Sequence, residues 1–169
     1  ILATAQGMAI CFNESDVRCM GRDAAGVRGI SLNEGDFVVG AEKVEEGKTL
    51  LTVTENGYGK RTELAEYLRT GPDGEKIPQS RGGKGLKNYN ITSKTGNIAG
   101  CRVVGDKDDV MLIENGGVII RIPASSINVY KRDTQGVIVM RIDEGNKVVS
   151  IERVEQEEEE PADTQETQE

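Results

Sequence analysis

The sequence predicts an all-β protein built from about three repeats of a four-stranded unit. Gly accounts for 21 of the 169 residues, whereas the aromatic residues are two Phe, four Tyr and no Trp. This composition suits short strands rich in Val, Ile and Leu that are joined by tight turns. A strand, polar-Gly turn, strand pattern also occurs three times along the chain. Matching positions recur at about fifty residues, which is the size of a propeller blade.

The three hairpins open the repeats. Gly7 and Gly57 mark the turns of the first two hairpins and lie 50 residues apart, whereas Gly57 and Gly117 lie 60 apart. One insertion around residues 69–76 accounts for the larger spacing. The loop after each hairpin suits a single helical turn, and Pro123 ends its strand. The predicted hairpins are residues 1–12, 50–61 and 110–121. The loops that follow them are residues 13–15, 63–67 and 123–126, in the same order.

A glycine that opens an apolar strand is the second landmark of each repeat. Gly26 and Gly85 lie 59 residues apart, and Gly85 and Gly136 lie 51 apart. We therefore predict propeller blades, and an ordinary β-sandwich with chance similarity is the alternative. The predicted blades are residues 1–48, 49–108 and 109–154. The fourth strand, which closes each blade, is predicted at residues 37–44, 98–104 and 148–154, respectively.

The net charge of −8 belongs to the end of the chain. Residues 155–169 contain eight acidic residues and no cation, which leaves 29 − 8 = 21 acids against 21 Lys and Arg in residues 1–154. With Ala162 as its only apolar residue, the segment 155–169 cannot bury enough surface to fold, and we predict a disordered acidic tail. The tail would either keep the chain soluble or compete with nucleic acid for basic surface.

The composition argues against catalysis, metal binding and membrane insertion. The chain has no His, the commonest general base and metal ligand, so no serine has an evident activating partner. The acidic group at residues 106–109 lacks EF-hand spacing, and the three cysteines follow no metal spacing. We expect reduced thiols in the cytoplasm, no cofactor in this chain and no membrane partner. Because the chain opens on Ile1, we expect a fragment of a longer protein.

A basic glycine-rich loop lies in the middle of the chain, at Gln79-Ser80-Arg81-Gly82-Gly83-Lys84-Gly85. These residues cannot hold a helix, but a tight loop would bring backbone N–H groups and two cations close to a phosphate. The loop is not a P-loop, because the motif G-x-x-x-x-G-K-[ST] is absent and a strand-like segment, residues 86–91, follows it.

The heptad resembles the gyrase box, Q-[KR]-R-G-G-[KR]-G, of the C-terminal domain of the gyrase A family, with Ser80 where the family usually has a cation. The segments at residues 26–30, 56–62 and 132–137 also resemble blades of that family, and the resemblance covers Ile1 to Val154. It implies a six-bladed β-pinwheel with strand exchange between neighbouring blades and with DNA around the outer rim. This chain would then be the last three blades and the acidic tail.

The same resemblance implies a setting for the chain. Its partners would be double-stranded DNA, the remainder of gyrase A and the gyrase B subunit. ATP and Mg²⁺ would be used elsewhere in the holoenzyme, and the location would be the cytoplasm, on the nucleoid. Because half a ring leaves a blade edge open near Ile1, we also expect self-association.

Cations recur beside the repeat landmarks. On a ring of blades, equivalent positions share one rim and would form a curved basic track. Bending a duplex costs on the order of 1–6 kcal/mol, which repeated phosphate contacts must offset. No segment resembles a recognition helix, so we expect binding without sequence specificity. The candidate DNA-binding residues are Arg22, Lys60, Arg61, Arg81, Lys84, Lys87, Arg121, Lys131 and Arg132.

The sequence therefore predicts a non-catalytic module that binds, wraps and bends duplex DNA and supports negative supercoiling. The alternative is a propeller-like scaffold for protein interactions, in which the same cations are solvated charges on an exposed face. A hydrolase on a propeller would need an activated nucleophile, and the sequence offers none.

Overall fold

The computed structural model describes residues 1–155, which form three antiparallel sheets and one small hairpin and confirm the all-β class. The predicted helical turns are present as 3₁₀ turns at Glu14–Asp16, Leu64–Tyr67 and Ala124–Ser126. Apart from Glu155, the predicted acidic tail lies outside the described residues. The strands are β1 Leu2–Thr4, β2 Met8–Ile10, β3 Val38–Ala41, β4 Thr49–Thr54, β5 Tyr58–Glu63, β6 Arg69–Thr70, β7 Lys76–Ile77, β8 Leu86–Lys87, β9 Ile98–Val104, β10 Asp109–Glu114, β11 Ile119–Pro123, β12 Val137–Ile138 and β13 Val148–Val154.

Strands are exchanged between repeats, as the resemblance implied. Sheet 1 has the order β3-β1-β2-β8 and sheet 2 the order β12-β5-β4-β9, so each takes one end strand from the following repeat. In sheet 1 this strand pairs Leu86 with Ala9, and in sheet 2 it pairs Val137 with Gly59. Sheet 3 has only three strands, in the order β11-β10-β13, because residues 1–155 contain no fourth repeat to supply another.

The hairpin turns depend on glycine and threonine. Gly7 and Gly57 take φ values of 88° and 79°, a region that residues with a Cβ avoid. The buried hydroxyls of Thr4 and Thr54 accept hydrogen bonds across the turns from the backbone N–H groups of Met8 and Tyr58, at 3.2 and 3.3 Å. Each turn is thus closed by a side chain from the strand before it.

The three sheets approach one another along β3, β9 and β13. Glycine permits this approach, since a Cβ on Gly100 of β9 would lie 3.1 Å from the Ile151 side chain of β13. The central strand β4 is buried on both faces: Leu50 packs in the core between sheets 1 and 2, and Leu51 in the core between sheets 2 and 3. Burying such a side chain contributes about 1.5–3 kcal/mol.

The opposite ends of the sheets face outward. The strands at those ends are β8, β12 and β11, each at the far side of its sheet from the strand that meets the neighbouring sheet. We call this side the outer rim. Among residues 1–155, no helix is long and apolar enough to cross a bilayer.

Candidate nucleic-acid interface

Two loops on the outer rim carry four of the nine candidate cations. Loop A, residues 79–85, leads into β8, and loop B, residues 130–136, leads into β12. Their last residues, Gly85 and Gly136, take φ values of 73° and 67°. Since β8 and β12 are the outer strands of sheets 1 and 2, the loops occupy equivalent places on neighbouring sheets.

The two loops are held by the same backbone contact with the preceding repeat. Ser31 N donates to Gly83 O of loop A at 2.8 Å, and Asn90 N donates to Thr134 O of loop B at 3.2 Å. Ser31 and Asn90 each lie five residues after the landmark glycine of their own repeat. The chain therefore builds one loop shape twice.

An arginine in each loop binds a backbone carbonyl of the preceding repeat. Arg81 Nη1 donates to Arg28 O at 2.6 Å, and Arg132 Nη1 donates to Lys87 O at 3.0 Å. Arg81 Nε also donates to Asp16 O at 2.9 Å. Because a guanidinium has five N–H donors, each arginine fixes its loop and keeps donors for a further anion. The contact also brings a second cation, Arg28 or Lys87, next to each loop.

The other loop cations face solvent. Lys84 of loop A and Lys131 of loop B are exposed, and neither side chain has a hydrogen bond or an ion pair with residues 1–155. Lys87 is also exposed, and its Nζ donates to Asn90 Oδ1 at 3.1 Å. Exposed ammonium groups of this kind are free to approach phosphate oxygens.

Arg28 is a rim cation that sequence reasoning did not select. It is exposed, and it lies two residues after Gly26, as Lys87 lies two residues after Gly85. Aligning the repeats on their second landmark would have found it.

Lys60 and Arg61 do not lie on this surface, contrary to the sequence-based prediction. Lys60 is 0% exposed and Arg61 is 7% exposed. The Lys60 ammonium lies beneath loop B, whereas Arg61 Nε donates to Ile127 O at 2.7 Å and its Nη1 pairs with Asp106 at 2.5 Å. Residues 59–62 of β5 are all buried, so a charge on either face of this part of the strand is enclosed.

Arg121 and Arg22 stand apart from the two loops. Arg121 lies on β11, the outer strand of sheet 3, and its Nε forms an ion pair with Asp109 Oδ2 at 2.7 Å. Arg22 is exposed in the segment before Gly26 and forms no side-chain bond with residues 1–155. The structure thus groups only five of the predicted cations at loops A and B, namely Arg81, Lys84, Lys87, Lys131 and Arg132.

The two buried tyrosines near these loops have structural contacts. The buried Tyr67 hydroxyl donates to Asn88 Oδ1 at 2.5 Å, and the Tyr89 hydroxyl donates to Gln135 O of loop B. Burial raises the pKa of both phenols above the ordinary range of tyrosine, which makes them poor nucleophiles at neutral pH. Among residues 1–155, no three His, Cys, Asp or Glu side chains are grouped in a way that could hold a metal ion.

The stacked sheets, the exchanged outer strands and the repeated loops define a propeller-like repeat domain of the β-pinwheel type. A family model described as DNA gyrase C-terminal domain, beta-propeller, matches residues 1–45, 48–77, 76–104 and 108–155. The chain therefore belongs to the DNA gyrase C-terminal domain family.

Individual proteins agree with this assignment. The gyrase A protein of Staphylococcus epidermidis is 42% identical over 159 residues, and that of Escherichia coli K12 is 41% identical over 154 residues. These matches cover 93% and 91% of this chain, which spans 17% of the length of each relative.

Two solved structures share the fold. The structure of a DNA gyrase A C-terminal domain matches with a TM-score of 0.81 and 30% identity, and that of the C-terminal domain of a DNA topoisomerase IV with 0.80 and 29%. Each covers 91% of this chain, and the chain covers 50% and 46% of those domains, respectively.

Proposed function

We propose that this chain is a DNA-binding module of a type IIA topoisomerase and that it bends duplex DNA along its outer rim. The observation that carries the proposal is the repetition of one basic loop on neighbouring sheets. Loops A and B share a backbone contact and, at equivalent positions, an arginine bound to the preceding repeat. Each loop also carries one exposed lysine, although Lys84 and Lys131 occupy different positions within their loops. Equivalent positions in a stack of blades present their charges at regular steps, which suits the regular phosphates of a duplex.

The mechanism is electrostatic. Lys84 and Lys131 would contact phosphates directly, and Arg28 and Lys87 would extend the basic surface beside each loop. Each neutralised phosphate releases condensed counterions, and these contacts together must exceed a bending cost on the order of 1–6 kcal/mol. Because the rim consists of loops and short strands, it would read the DNA backbone rather than base edges.

The setting of the module follows from its relatives. Those relatives are gyrase A proteins, so the proposed partners are the remainder of gyrase A and the gyrase B protein. The module would present the bent duplex for strand passage in support of negative supercoiling, in the cytoplasm on the nucleoid. ATP and Mg²⁺ would act in other parts of that assembly.

The open edges of the chain support self-association as a second proposal. The outer edge of β11 has no paired strand within residues 1–155, although β2 and β5 are covered by β8 and β12. Residues 26–30 are the repeat equivalent of these covering strands, and a Cβ on Gly26 would meet no atom within 4 Å. Residues 26–30 of one copy could therefore cover β11 of a second copy.

Salt-dependent binding tests the DNA proposal. Fluorescence anisotropy of a labelled duplex should give affinity that falls steeply with salt. Lys84→Ala with Lys131→Ala should lower the slope of log K against log salt by about 1.8, since each phosphate contact contributes about 0.9. The control is Lys43→Ala with Lys107→Ala, which removes the same charge from two exposed lysines next to the inner strands β3 and β9.

The outcomes separate the two candidate functions. An interaction scaffold without nucleic acid would show no salt-dependent binding of the duplex by the unmodified chain. If the rim and control variants lower the slope equally, the track is not at loops A and B.

A further inference from the structure

Lys60 is a fully buried lysine whose ammonium group serves a single loop. Its Nζ donates to Lys131 O at 2.8 Å, to Arg132 O at 2.5 Å and to Thr134 Oγ1 at 3.3 Å, all in loop B. It also lies 4.9 Å from the centroid of the Tyr89 ring, within the range of a cation–π contact. Three acceptors and an aromatic face therefore surround a charge that has no contact with solvent.

The first repeat shows that this position does not need a lysine to fold. Ile10 lies three residues after Gly7, as Lys60 lies three residues after Gly57, and Ile10 is also fully buried. It lies beneath loop A, where a Cβ on Gly83 would be 3.7 Å from Ile10 Cδ1. An apolar side chain thus fills the space in one repeat, whereas in the next repeat a lysine fills it and also binds the loop.

We propose that Lys60 is a positioning residue, which fixes loop B from beneath through its charged ammonium group and so makes DNA binding by Lys131 and Arg132 depend on the protonation of Lys60. This inference rests on the DNA-binding function proposed above. Lys60 would touch no phosphate itself. It would act through the carbonyl groups of the two residues whose side chains face the rim.

The surroundings of Lys60 place its protonation near neutral pH. Burial disfavours the charged form and is the largest effect, Asp133 and Glu66 favour that form, and Arg132 opposes it. Together they lower the pKa of Lys60 to about 7. The Tyr89 phenol stays neutral in this range, because burial raises its pKa. A neutral amine has only two N–H groups, so deprotonation removes the positive charge and one of the three hydrogen bonds that Nζ donates to loop B, and Thr134 Oγ1 could then stay bonded only as a donor to the amine.

The chain offers a clean background for measuring this effect. It contains no His, the side chain whose unperturbed pKa lies closest to neutrality. With a pKa of about 7, about one-tenth of Lys60 is charged at pH 8 and about nine-tenths at pH 6. If loop B has its DNA-binding conformation only when Lys60 is charged, the apparent affinity of the chain for DNA falls by up to about tenfold between pH 6 and pH 8.

The first measurement needs no DNA and no variant. Backbone amide signals of Thr134 and Gln135 in the full chain should titrate with a midpoint near pH 7, whereas those of Gly82 and Gly83 in loop A should not. Lys60→Ile copies the first repeat and should abolish the titration in loop B. Constant loop B signals between pH 6 and pH 8 in the unmodified chain would overturn the inference, even if the variant failed to fold.

The second measurement is the affinity for a labelled duplex at pH 6 and pH 8 at constant ionic strength. The unmodified chain should bind up to about tenfold more weakly at pH 8, and Lys60→Ile should bind equally at both pH values. A variant that keeps the full pH dependence would overturn the inference. If the unmodified chain binds no DNA at either pH, the proposed function fails, while the amide titration still decides whether Lys60 controls loop B.

Discussion

Gly85 and Gly26 form a matched pair for testing how strand exchange stabilises the domain. Both are the landmark glycine of their repeat and both have positive φ, 73° and 80°. A Cβ on Gly85 would lie 2.8 Å from the Ala9 carbonyl carbon, and closer still to its oxygen, whereas a Cβ on Gly26 would meet nothing within 4 Å. Gly85→Ala and Gly26→Ala therefore differ in the contact with the neighbouring strand and not in the backbone conformation.

The expected loss of stability in each variant follows from its backbone conformation and from its contact with the neighbouring strand. The left-handed conformation alone costs roughly 1–2 kcal/mol for a residue with a Cβ, and both variants carry this cost. Gly85→Ala must also push β8 away from β2, where only two residue pairs hold the strands together. Losing those backbone hydrogen bonds adds about 1 kcal/mol for each bond. Gly85→Ala should therefore destabilise the domain by about 2 kcal/mol more than Gly26→Ala.

Urea and thermal unfolding of dilute protein would measure this difference. For a domain of this size, about 2 kcal/mol corresponds to a difference in Tm of roughly 4–8 °C. Gly136→Ala should behave like Gly85→Ala, since its Cβ would lie 2.8 Å from the Gly59 carbonyl carbon. Equal Tm values for the Gly85 and Gly26 variants would refute the claim that the glycine permits the close approach of exchanged strands.

Two further predictions concern association and the acidic tail. Light scattering should show a mass that rises with concentration, and Ile119→Lys on the open edge of β11 should prevent the rise; a monomeric mass at every concentration would contradict pairing between copies. Deleting residues 155–169 removes eight acidic residues and should tighten DNA binding at low salt, because these charges would compete with phosphate for the rim. Equal affinity with and without these residues would dismiss that competition.

The repeat pattern predicted much of the fold because glycine positions and strand periodicity are local properties. The hairpins around Gly7 and Gly57, the three 3₁₀ turns and the closing strands all follow from short segments. The pairing of β8 and β12 does not, since each is only two residues long and its partner belongs to another repeat. Strand exchange was therefore anticipated only through the resemblance to a known family.

The candidate site was predictable where the side chain lies in a loop, and not where it lies in a strand. Arg81 and Lys84 lie in a loop at the outer rim, because a glycine-rich loop with two cations cannot be buried easily; their role in binding DNA stays a prediction. Lys60 and Arg61 are buried, contrary to the prediction, because a position beside the hairpin glycine does not show whether the strand that follows is exposed. In this fold residues 59–62 of β5 are buried on both faces of the strand.

The two kinds of rim cation have different consequences for any mutational test. Arg81 and Arg132 each donate a hydrogen bond to a backbone carbonyl of the preceding repeat. Replacing either arginine would therefore alter both the charge and the position of a whole loop. A loss of DNA affinity in such variants would combine two effects and could not be assigned to a phosphate contact. Lys84 and Lys131 have no side-chain bond with residues 1–155, so their replacement removes charge while the loops stay in place. The lysines therefore measure contact with DNA, and the arginines measure how far that contact depends on the junction between blades.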